Sequence, residues 1–259
     1  MEFVKKSLGQ NFLIDKNIIK KIINSVQIKQ KNIIEIGPGR GALTNEIIKR
    51  NPKSLLLIEK DNKLSRALEE QFKKDKRVNI INQDILKFDF KKIKRKSIIF
   101  GNLPYNISSQ ILVKIIKLKK LSSNYSDIIF MFQKELGEKI IANYPSRNYG
   151  RISILSSYKL STINKFYISS NCFIPKPKVQ SMVIHFKPKE KIKYKFRNIE
   201  NLEKITNIFF SNKRKMIKKN LHKLLTKEKI ESISNLNFNL RPEAVSPEFF
   251  YKITNLYES

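Results

Sequence analysis

Short apolar runs alternate with longer amphipathic segments through the first half of the chain, and this alternation restricts the fold more than any single motif does. The apolar runs have the length and β-branched content of buried strands, and they lie at residues 32–36, 54–58, 78–81, 97–100 and 127–132. The amphipathic segments repeat apolar residues at helical spacing, and they lie at residues 17–26, 42–50, 64–72, 107–118 and 134–144. Strands that alternate with helices usually pair in parallel and are covered on both faces. The order therefore predicts an α/β fold built on a parallel sheet.

The pattern changes in the second half of the chain. Residues 165–168 and 179–186 resemble paired strands of an antiparallel edge, and the charged, proline-containing segment 187–198 is typical of a linker. Three short helices are predicted beyond it, at residues 202–210, 213–225 and 247–256. We therefore predict two domains, 1–188 and 189–259, of which the second is small and helical.

The chain is strongly basic. Its 259 residues include 53 Lys and Arg against 22 Asp and Glu, which gives a formal net charge of +31. AT-rich codon usage would enrich Lys together with Ile and Asn, and we expect it to account for part of this excess. A surface of this sign attracts polyanions, so nucleic acid is the first predicted partner class and an anionic membrane surface the second.

Few side chains are available for disulfides or metal binding. Cys172 is the single cysteine, and His185 and His222 are the only histidines. We therefore predict an intracellular protein with no disulfide and no metal cofactor. No stretch is long and apolar enough to span a bilayer, so we expect a soluble protein, and of the two partner classes we predict nucleic acid and no membrane.

Small or polar residues follow the first four predicted strands. The first strand leads into the glycine loop 37–42, and the next three lead to Glu59, Asp84 and Asn102. In an open parallel sheet, ligands bind beyond the carboxyl ends of the strands. The loop fits both the G-x-G-x-x-G/A pattern of dinucleotide enzymes and the G-x-G-x-G loop of S-adenosylmethionine enzymes, and Glu59 could accept from ribose hydroxyls in either case. Asp84 could accept from the amine of an adenine, which favours an adenosyl group.

The sequence "GNLPY" at residues 101–105 is compatible with either a turn or a site that holds a flat base. Methylation of an adenine amine requires acceptors that turn the nitrogen lone pair toward the methyl donor. The Asn102 side-chain oxygen and the Leu103 carbonyl could serve as these acceptors. Pro104 fixes the backbone, and Tyr105 offers a ring for stacking on the base. Such a site would act mainly through orientation, and a paired base would first have to leave its stack.

Motifs spread over nearly the whole chain resemble the ribosomal RNA adenine N6,N6-dimethyltransferases. The segments that carry this resemblance are "GQNFL" (9–13), "EIGPGRGALT" (35–44), "QDIL" (83–86), "GNLPYNIS" (101–108), "MFQKE" (131–135), "YGRISIL" (149–155) and "FIPKPKVQS" (173–181). The resemblance implies a Rossmann-like class I S-adenosylmethionine-dependent methyltransferase domain with a small α-helical C-terminal domain that binds rRNA. It also implies two methyl transfers to each target adenine, with S-adenosylmethionine as the methyl donor.

The same resemblance implies roles for individual residues. Asn11 and Leu13 would line the methionine end of the cofactor, and Gly37 would lie beneath it. Glu59 would hold the ribose, Asp84 the adenine amine, and Asn102 would lie between cofactor and target. Phe173 would close on the target base opposite Tyr105, although a core phenylalanine is an equally good interpretation of that residue. The residues themselves predict only a turn at 9–13 before the first helix, capped by Asn11 or Asp15.

The motifs are compatible with two branches of this family. "MFQKE", "YGRIS", "FFSNKRKMIKKNL" (209–221) and "LRPEAVSPEFF" (240–250) resemble the KsgA family, whose targets are two adjacent adenines in a hairpin loop near the 3′ end of 16S rRNA. The Erm enzymes, which act on 23S rRNA, are the alternative. The KsgA branch usually has a pair of arginines at the positions of Lys213 and Arg214. A lysine cannot make the planar two-pronged phosphate contact of an arginine. This basic segment is either a solvated helix face or a track for rRNA phosphates.

A protein that assists ribosome assembly without catalysis is a further alternative, and the glycine loop alone would also fit a nicotinamide oxidoreductase. Glu59, Asp84 and "NLPY" favour catalysis, and a nicotinamide enzyme would leave "QNFL" and "NLPY" unexplained. We expect a monomer that acts on small-subunit rRNA in the bacterial cytoplasm, with an organellar location as the alternative.

Overall fold

A computed structural model of the protein describes residues 10–90, 93, 95–233 and 237–259. Gly9 of the predicted "GQNFL" motif lies outside these ranges. The described residues group into two compact units: the first belongs to Met1–Gly137 and Ser161–Pro188, and the second to Glu138–Leu160 and Lys189–Ser259. The predicted domains 1–188 and 189–259 differ from these units in residues 138–160. The functional division at residue 188 stays a prediction.

The strands form one large sheet and one small one. They are β1 (Phe12–Leu13), β2 (Asn32–Ile36), β3 (Ser54–Glu59), β4 (Val78–Asn82), β5 (Ser97–Asn102), β6 (Tyr125–Gln133), β7 (Leu160–Ile168), β8 (Phe173–Ile174) and β9 (Ser181–Pro188). Within the described residues, seven strands form a sheet in the order β4-β3-β2-β5-β6-β9-β7, and β1 pairs with β8. The predicted strands at 97–100 and 127–132 are longer in the structure, because both continue to polar residues at the edge of the sheet.

The five strands from β4 to β6 are parallel, as the alternation of the sequence predicts. Ile36, at the end of β2, lies opposite Ile58 of β3 and Gly101 of β5. Most interior positions of β2, β3, β5 and β6 are apolar and buried, as is typical of parallel strands covered on both faces. This register places the carboxyl ends of β2, β3 and β5 at one edge.

Helices of the first unit follow β1, β2, β3, β5 and β6 along the chain. They are α1 (Lys16–Ile23), α2 (Ala42–Lys49), α3 (Asn62–Phe72), α4 (Ser108–Ile116), α5 (Leu121–Asn124) and the first turn of α6 (Lys134–Ile140). Asp15 caps α1, since its carboxylate accepts hydrogen bonds from the N–H groups of Asn17 and Ile18 at 2.9 Å. Of the two cap residues that the sequence leaves open, Asp15 is therefore the one used.

Strand β9 reverses the direction of the sheet. It runs antiparallel to β6, with Ser181 opposite Gln133, and β7 lies beside it at the edge. Asn102, at the end of β5, lies opposite Met131 of the same β6. Because β9 begins at the edge of the sheet where the parallel strands end, its first residue lies at the edge that carries Asn102.

The second unit is helical. Its helices are the end of α6, then α7 (Arg151–Lys159), α8 (Ile199–Phe210), α9 (Lys218–Leu224), α10 (Lys227–Glu231) and α11 (Pro247–Glu258). Phe209 and Phe250 meet edge to face, with ring centroids 5.5 Å apart, in its buried core. The sequence pattern did not predict α7, and the helix predicted from residue 213 begins only at Lys218. No helix in the described part of the chain is long and apolar enough to cross a membrane.

The close packing around Gly101 leads to a prediction about stability. A Cβ atom on Gly101 would lie 2.6 Å from Leu103 Cδ2 and 3.2 Å from Phe130 Cδ1. We expect Gly101→Ala to lower the free energy of unfolding by about 1–3 kcal/mol, because these neighbours are buried and must shift. Denaturant unfolding measures the loss. Gly150→Ala is the matched control, since the nearest atom to its Cβ would be 3.9 Å away; equal effects of the two substitutions would contradict the packing argument.

Candidate active site

A cavity of about 240 Å³ opens at the carboxyl ends of the parallel strands in the first unit. Nine of the sequence-predicted site residues line it: Asn11, Leu13, Gly37, Glu59, Asp84, Asn102, Leu103, Pro104 and Tyr105. Four loops and the N-terminal segment supply them, so residues far apart in the sequence meet around one space. Phe173 is not among the lining residues.

The glycine loop after β2 forms one wall of the cavity. Gly37 and Gly39 have φ angles of 65° and 59°, a left-handed backbone that favours glycine. A Cβ on Gly39 would lie 3.0 Å from the ring of Phe12, and one on Gly37 would lie 3.7 Å from the Asn102 carbonyl oxygen. The loop therefore lies close to both the N-terminal segment and the end of β5.

Glu59 ends β3 and is almost fully buried at the cavity wall. Its Oε2 accepts a hydrogen bond from the Gly39 N–H at 3.1 Å, and its Oε1 accepts one from the Asp61 N–H at 2.8 Å. Burial raises the pKa of Glu59, and these two hydrogen bonds oppose the rise. Each oxygen keeps a second lone pair that could accept from a ligand hydroxyl.

Asp84 follows β4 on the same side of the cavity. Its Oδ1 accepts from the Leu86 N–H at 2.9 Å, and its Oδ2 lies 2.8 Å from the ammonium of Lys60. The hydrogen bond from Lys60 lowers the pKa of Asp84, so the side chain is a carboxylate at neutral pH. Lys60 is a neighbour that the sequence reading did not anticipate.

Asn102 is tied to the N-terminal segment. Its Nδ2 donates a hydrogen bond of 2.8 Å to the Asn11 carbonyl. A carbonyl oxygen can only accept, so the amide nitrogen must face Asn11 and the amide oxygen faces away from it. This contact fixes which end of the Asn102 amide is offered to a neighbouring donor.

The segment after Asn102 is a turn that also lines the cavity, so the two interpretations of "GNLPY" hold together. The Ile107 N–H donates to the Pro104 carbonyl at 3.1 Å, and the Ser108 hydroxyl donates to the Tyr105 carbonyl at 3.1 Å. The half-buried Tyr105 ring is held at its far end as well, because its hydroxyl is hydrogen-bonded to the hydroxyl of Ser181.

Phe173 lies in the hydrophobic core. Its side chain is 2% exposed, and it pairs across the small sheet with Leu13. Ile174, the next residue, is 53% exposed and lines the cavity. Neighbouring residues of a strand point to opposite faces, so one faces the core while the other faces the cavity. This placement agrees with the core interpretation, and the stacking role of Phe173 stays a prediction.

Other cavity residues were not singled out from the sequence. Phe12 packs against Gly39, and the guanidinium of Arg40 lies 4.7 Å from the centre of its ring. Lys60 holds Asp84 in place, and Ser181, which lies outside the lining, holds the hydroxyl of Tyr105. Phe12 belongs to "QNFL" and Ser181 to "FIPKPKVQS", but the sequence does not show which residues they contact. Among the described residues, no group of three or more His, Cys, Asp or Glu side chains could hold a metal ion.

Glu35 lies behind the glycine loop and is fully buried. The Thr44 hydroxyl donates to its Oε2 at 2.7 Å. Burial raises the pKa of Glu35 from 4.5 to about 7, the hydrogen bond from Thr44 opposes the rise, and the nearby charge of Glu59 adds to it.

Comparisons with known proteins agree on one family. The family model described as ribosomal RNA adenine dimethylase matches residues 1–259. A protein of Pelagibacter ubique named Ribosomal RNA small subunit methyltransferase A is 44% identical over 258 residues, which cover 98% of this chain and 97% of that protein.

Solved structures agree on the fold. A dimethyladenosine transferase from Plasmodium falciparum superposes with a TM-score of 0.75 at 23% identity, over 93% of this chain and 95% of that one. The 23S rRNA methyltransferase ErmE superposes with a TM-score of 0.72 at 19% identity, over 96% of this chain and 100% of that one. These likenesses confirm the predicted α/β, Rossmann-like methyltransferase fold.

The buried Glu35 leads to a prediction about pH. Its carboxyl group holds a proton up to about pH 7 in the folded protein but loses it near pH 4.5 when unfolded. Its contribution to stability is therefore complete below pH 4.5 and is lost as the pH rises to about 7. Between pH 4.5 and about 7, we expect the free energy of unfolding of the unsubstituted protein to fall by roughly 3 kcal/mol more than that of the Glu35→Gln variant. The glutamine of this variant keeps an acceptor for Thr44. Urea unfolding at a series of pH values measures the difference, and parallel curves would contradict it.

Proposed function

The chain belongs to the ribosomal RNA adenine dimethylase family, and from that membership we propose that it dimethylates two adjacent adenines near the 3′ end of 16S rRNA. The methyl groups come from S-adenosylmethionine and go to the N6 amines. The full-length likeness to a relative named for the small subunit supports this target over the 23S rRNA target of the Erm branch.

The observation that carries the proposal is that one cavity joins the predicted cofactor residues to "NLPY". The residues fit an adenosyl sulfonium compound, because Glu59 and Asp84 offer carboxylate oxygens on one side and Gly37 leaves room for a close approach to the backbone. In this proposal Asp84 holds the adenine amine and Glu59 the ribose. Asn11 and Leu13 line the methionine end.

When bound, S-adenosylmethionine supplies a methyl group activated by its positive sulfur. The chain's own residues orient the amine that receives it. In the first transfer the Asn102 Oδ1 and the Leu103 carbonyl would accept hydrogen bonds from the two amine protons, and in the second one of them would accept from the proton that remains. Either arrangement turns the lone pair toward the donor, and each transfer releases one amine proton to solvent. The bond from Asn102 Nδ2 to Asn11 keeps Oδ1 on the side away from that carbonyl. Orientation of this kind accounts for a large part of the rate in such reactions.

The target base would stack on Tyr105, whose ring lines the cavity. Pro104 restricts the backbone that carries the ring. A role for Phe173 on the opposite side would require its buried side chain to turn toward the cavity on binding. Because the base must enter a closed space, the substrate is an unpaired or flipped-out adenine.

Residues 189–259 are proposed to contact rRNA. The turn before α9 carries Lys213, Arg214 and Lys215, which are exposed side by side. Such a cluster suits the phosphate backbone and would make binding weaken with salt. A monomeric state and a bacterial cytoplasmic location stay part of the proposal.

An assembly factor without catalysis is the second candidate function. Relatives that act by binding alone would not need the acceptors of the cavity. Here Asn102 is held by a specific hydrogen bond, and Glu59 and Asp84 keep their places at the strand ends. This intact arrangement supports the enzyme over the assembly factor.

The orientation argument leads to a prediction for Asn102→Ala. We expect the rate of methyl transfer to fall by about 100-fold, because the amine loses an acceptor and its alignment. The Kd for S-adenosylmethionine should stay within about threefold of the original, as measured by calorimetry. Asn62→Ala is the matched control, since Asn62 is exposed at the start of α3. Unchanged transfer by Asn102→Ala would contradict the role of Asn102.

The choice of target can be tested with labelled S-adenosylmethionine. We expect label on under-methylated small subunits, and mapping should place it on two adjacent adenines of the 3′ hairpin loop. Large subunits are offered in parallel. Label on large subunits alone would favour the Erm branch, and tight binding to small subunits without label would favour the assembly factor.

A further inference from the structure

Ser181 is a fully buried serine at the start of β9, directly before a run of three apolar residues. Its side chain is 0% exposed, and the residues that follow in β9 are Met182, Val183 and Ile184. Burial of a hydroxyl group costs free energy unless a hydrogen-bond partner compensates it. That partner is the Tyr105 hydroxyl, 2.5 Å away and 76 positions earlier in the chain.

Both ends of this contact are anchored to the backbone. The carbonyl of Gln180, just before Ser181, accepts from the Lys134 N–H at 2.9 Å, and Ser181 itself pairs with Gln133. The Tyr105 carbonyl accepts from the Ser108 hydroxyl. The contact therefore joins two rigid parts of the first unit and leaves the Tyr105 ring little freedom to tilt.

We propose that Ser181 is a positioning residue that holds the Tyr105 ring in the plane required to stack on the target adenine. The inference rests on the proposed function, because it assigns Tyr105 to the target base. Stacking requires the ring and the base to be nearly parallel, and a tyrosine held only at its Cβ can swing about two torsions. A hydrogen bond at the far end of the ring removes that freedom.

The topology of the sheet explains why this position suits the task. Asn102 ends β5 and Ser181 begins β9, and both lie at the carboxyl edge because β9 is antiparallel to β6. The Tyr105 ring thus reaches from the end of one strand to the start of another. Burial raises the pKa of Tyr105, so its phenol keeps its proton and remains available for the contact at neutral pH.

The test compares Ser181→Ala, Tyr105→Phe and the double variant. Each single substitution removes one hydroxyl and keeps the remaining side chain. We expect each to lower kcat for small subunits by about two- to tenfold, the usual effect of one hydrogen bond. The KM for small subunits and the Kd for S-adenosylmethionine should change by less than about twofold, since most of the contacts proposed for the rRNA backbone and for the cofactor are made by other residues. The double variant should be no slower than either single variant, because all three lack the same contact.

Ser65→Ala is the matched control. Its hydroxyl is equally buried in the first unit, and it has no hydrogen-bond partner among the described residues. A role in folding alone would make Ser181→Ala behave like this control, with a changed thermal midpoint and an unchanged kcat. That result would overturn the proposal, and so would a double variant whose loss equals the product of the single losses.

A second measurement does not depend on activity. Proton NMR of the folded protein should show a Tyr105 hydroxyl signal protected from exchange, assigned by its loss in Tyr105→Phe, and Ser181→Ala should abolish it. Absence of this signal in the unsubstituted protein would overturn the proposal at its structural step. An unsubstituted protein that shows the signal but does not methylate small subunits would overturn the proposed function and, with it, the role of Ser181. An active protein with an unaffected Ser181→Ala variant would overturn the role of Ser181 alone.

Discussion

The register of the parallel strands is the constraint on which the site depends. Ile36 lies level with Ile58 and with Gly101, so the residues that follow each of them emerge at the same edge of the sheet. A shift of one strand by one residue would turn its side chains to the opposite face and move its loop along the edge. The contact of Gly39 with Glu59 and the closeness of Gly37 to the Asn102 carbonyl follow from this alignment. The chemistry of the cavity is therefore a consequence of how the apolar interiors of the strands pack.

The N-terminal segment completes the cavity from the other side. The Asn11 carbonyl receives the Asn102 amide, and the Phe12 ring packs against Gly39. The pairing of Leu13 with Phe173 anchors this segment to β8. Residues 11–13 thus contact both the glycine loop, which is proposed to face the cofactor, and Asn102, which is proposed to face the target base. Displacement of this segment would disturb both, so the two binding events share a structural support.

The sequence predicted most of the sheet and the wall of the cavity. The parallel strands and the positions of Gly37, Glu59, Asp84 and Asn102 follow from local patterns, because apolar runs and the polar residues at their ends are visible in the chain itself. The small sheet of β1 and β8 was missed, since two-residue strands have no detectable period. Helix α7 was missed as well, because its buried residues include serines and a lysine alongside apolar ones. The roles of Lys60 and Ser181 could not be read in advance, because each depends on a partner brought close only by folding.

The surface of the molecule and the cavity differ in charge, and they are proposed to receive the rRNA backbone and the cofactor, respectively. The net charge of +31 makes the surface attractive to phosphates, whereas Glu35, Glu59 and Asp84 all line the cavity. The cavity also contains Arg40 and Lys60, but Arg40 lies over the Phe12 ring and Lys60 is paired with Asp84. Burial keeps Glu35 protonated up to about pH 7 and Lys60 pairs with Asp84, so the cavity lining carries little net charge, in contrast to the strongly basic chain. The rRNA phosphates are therefore attracted to the basic surface rather than to the cavity, whose carboxylate oxygens offer hydrogen-bond acceptors to the ligands proposed for it.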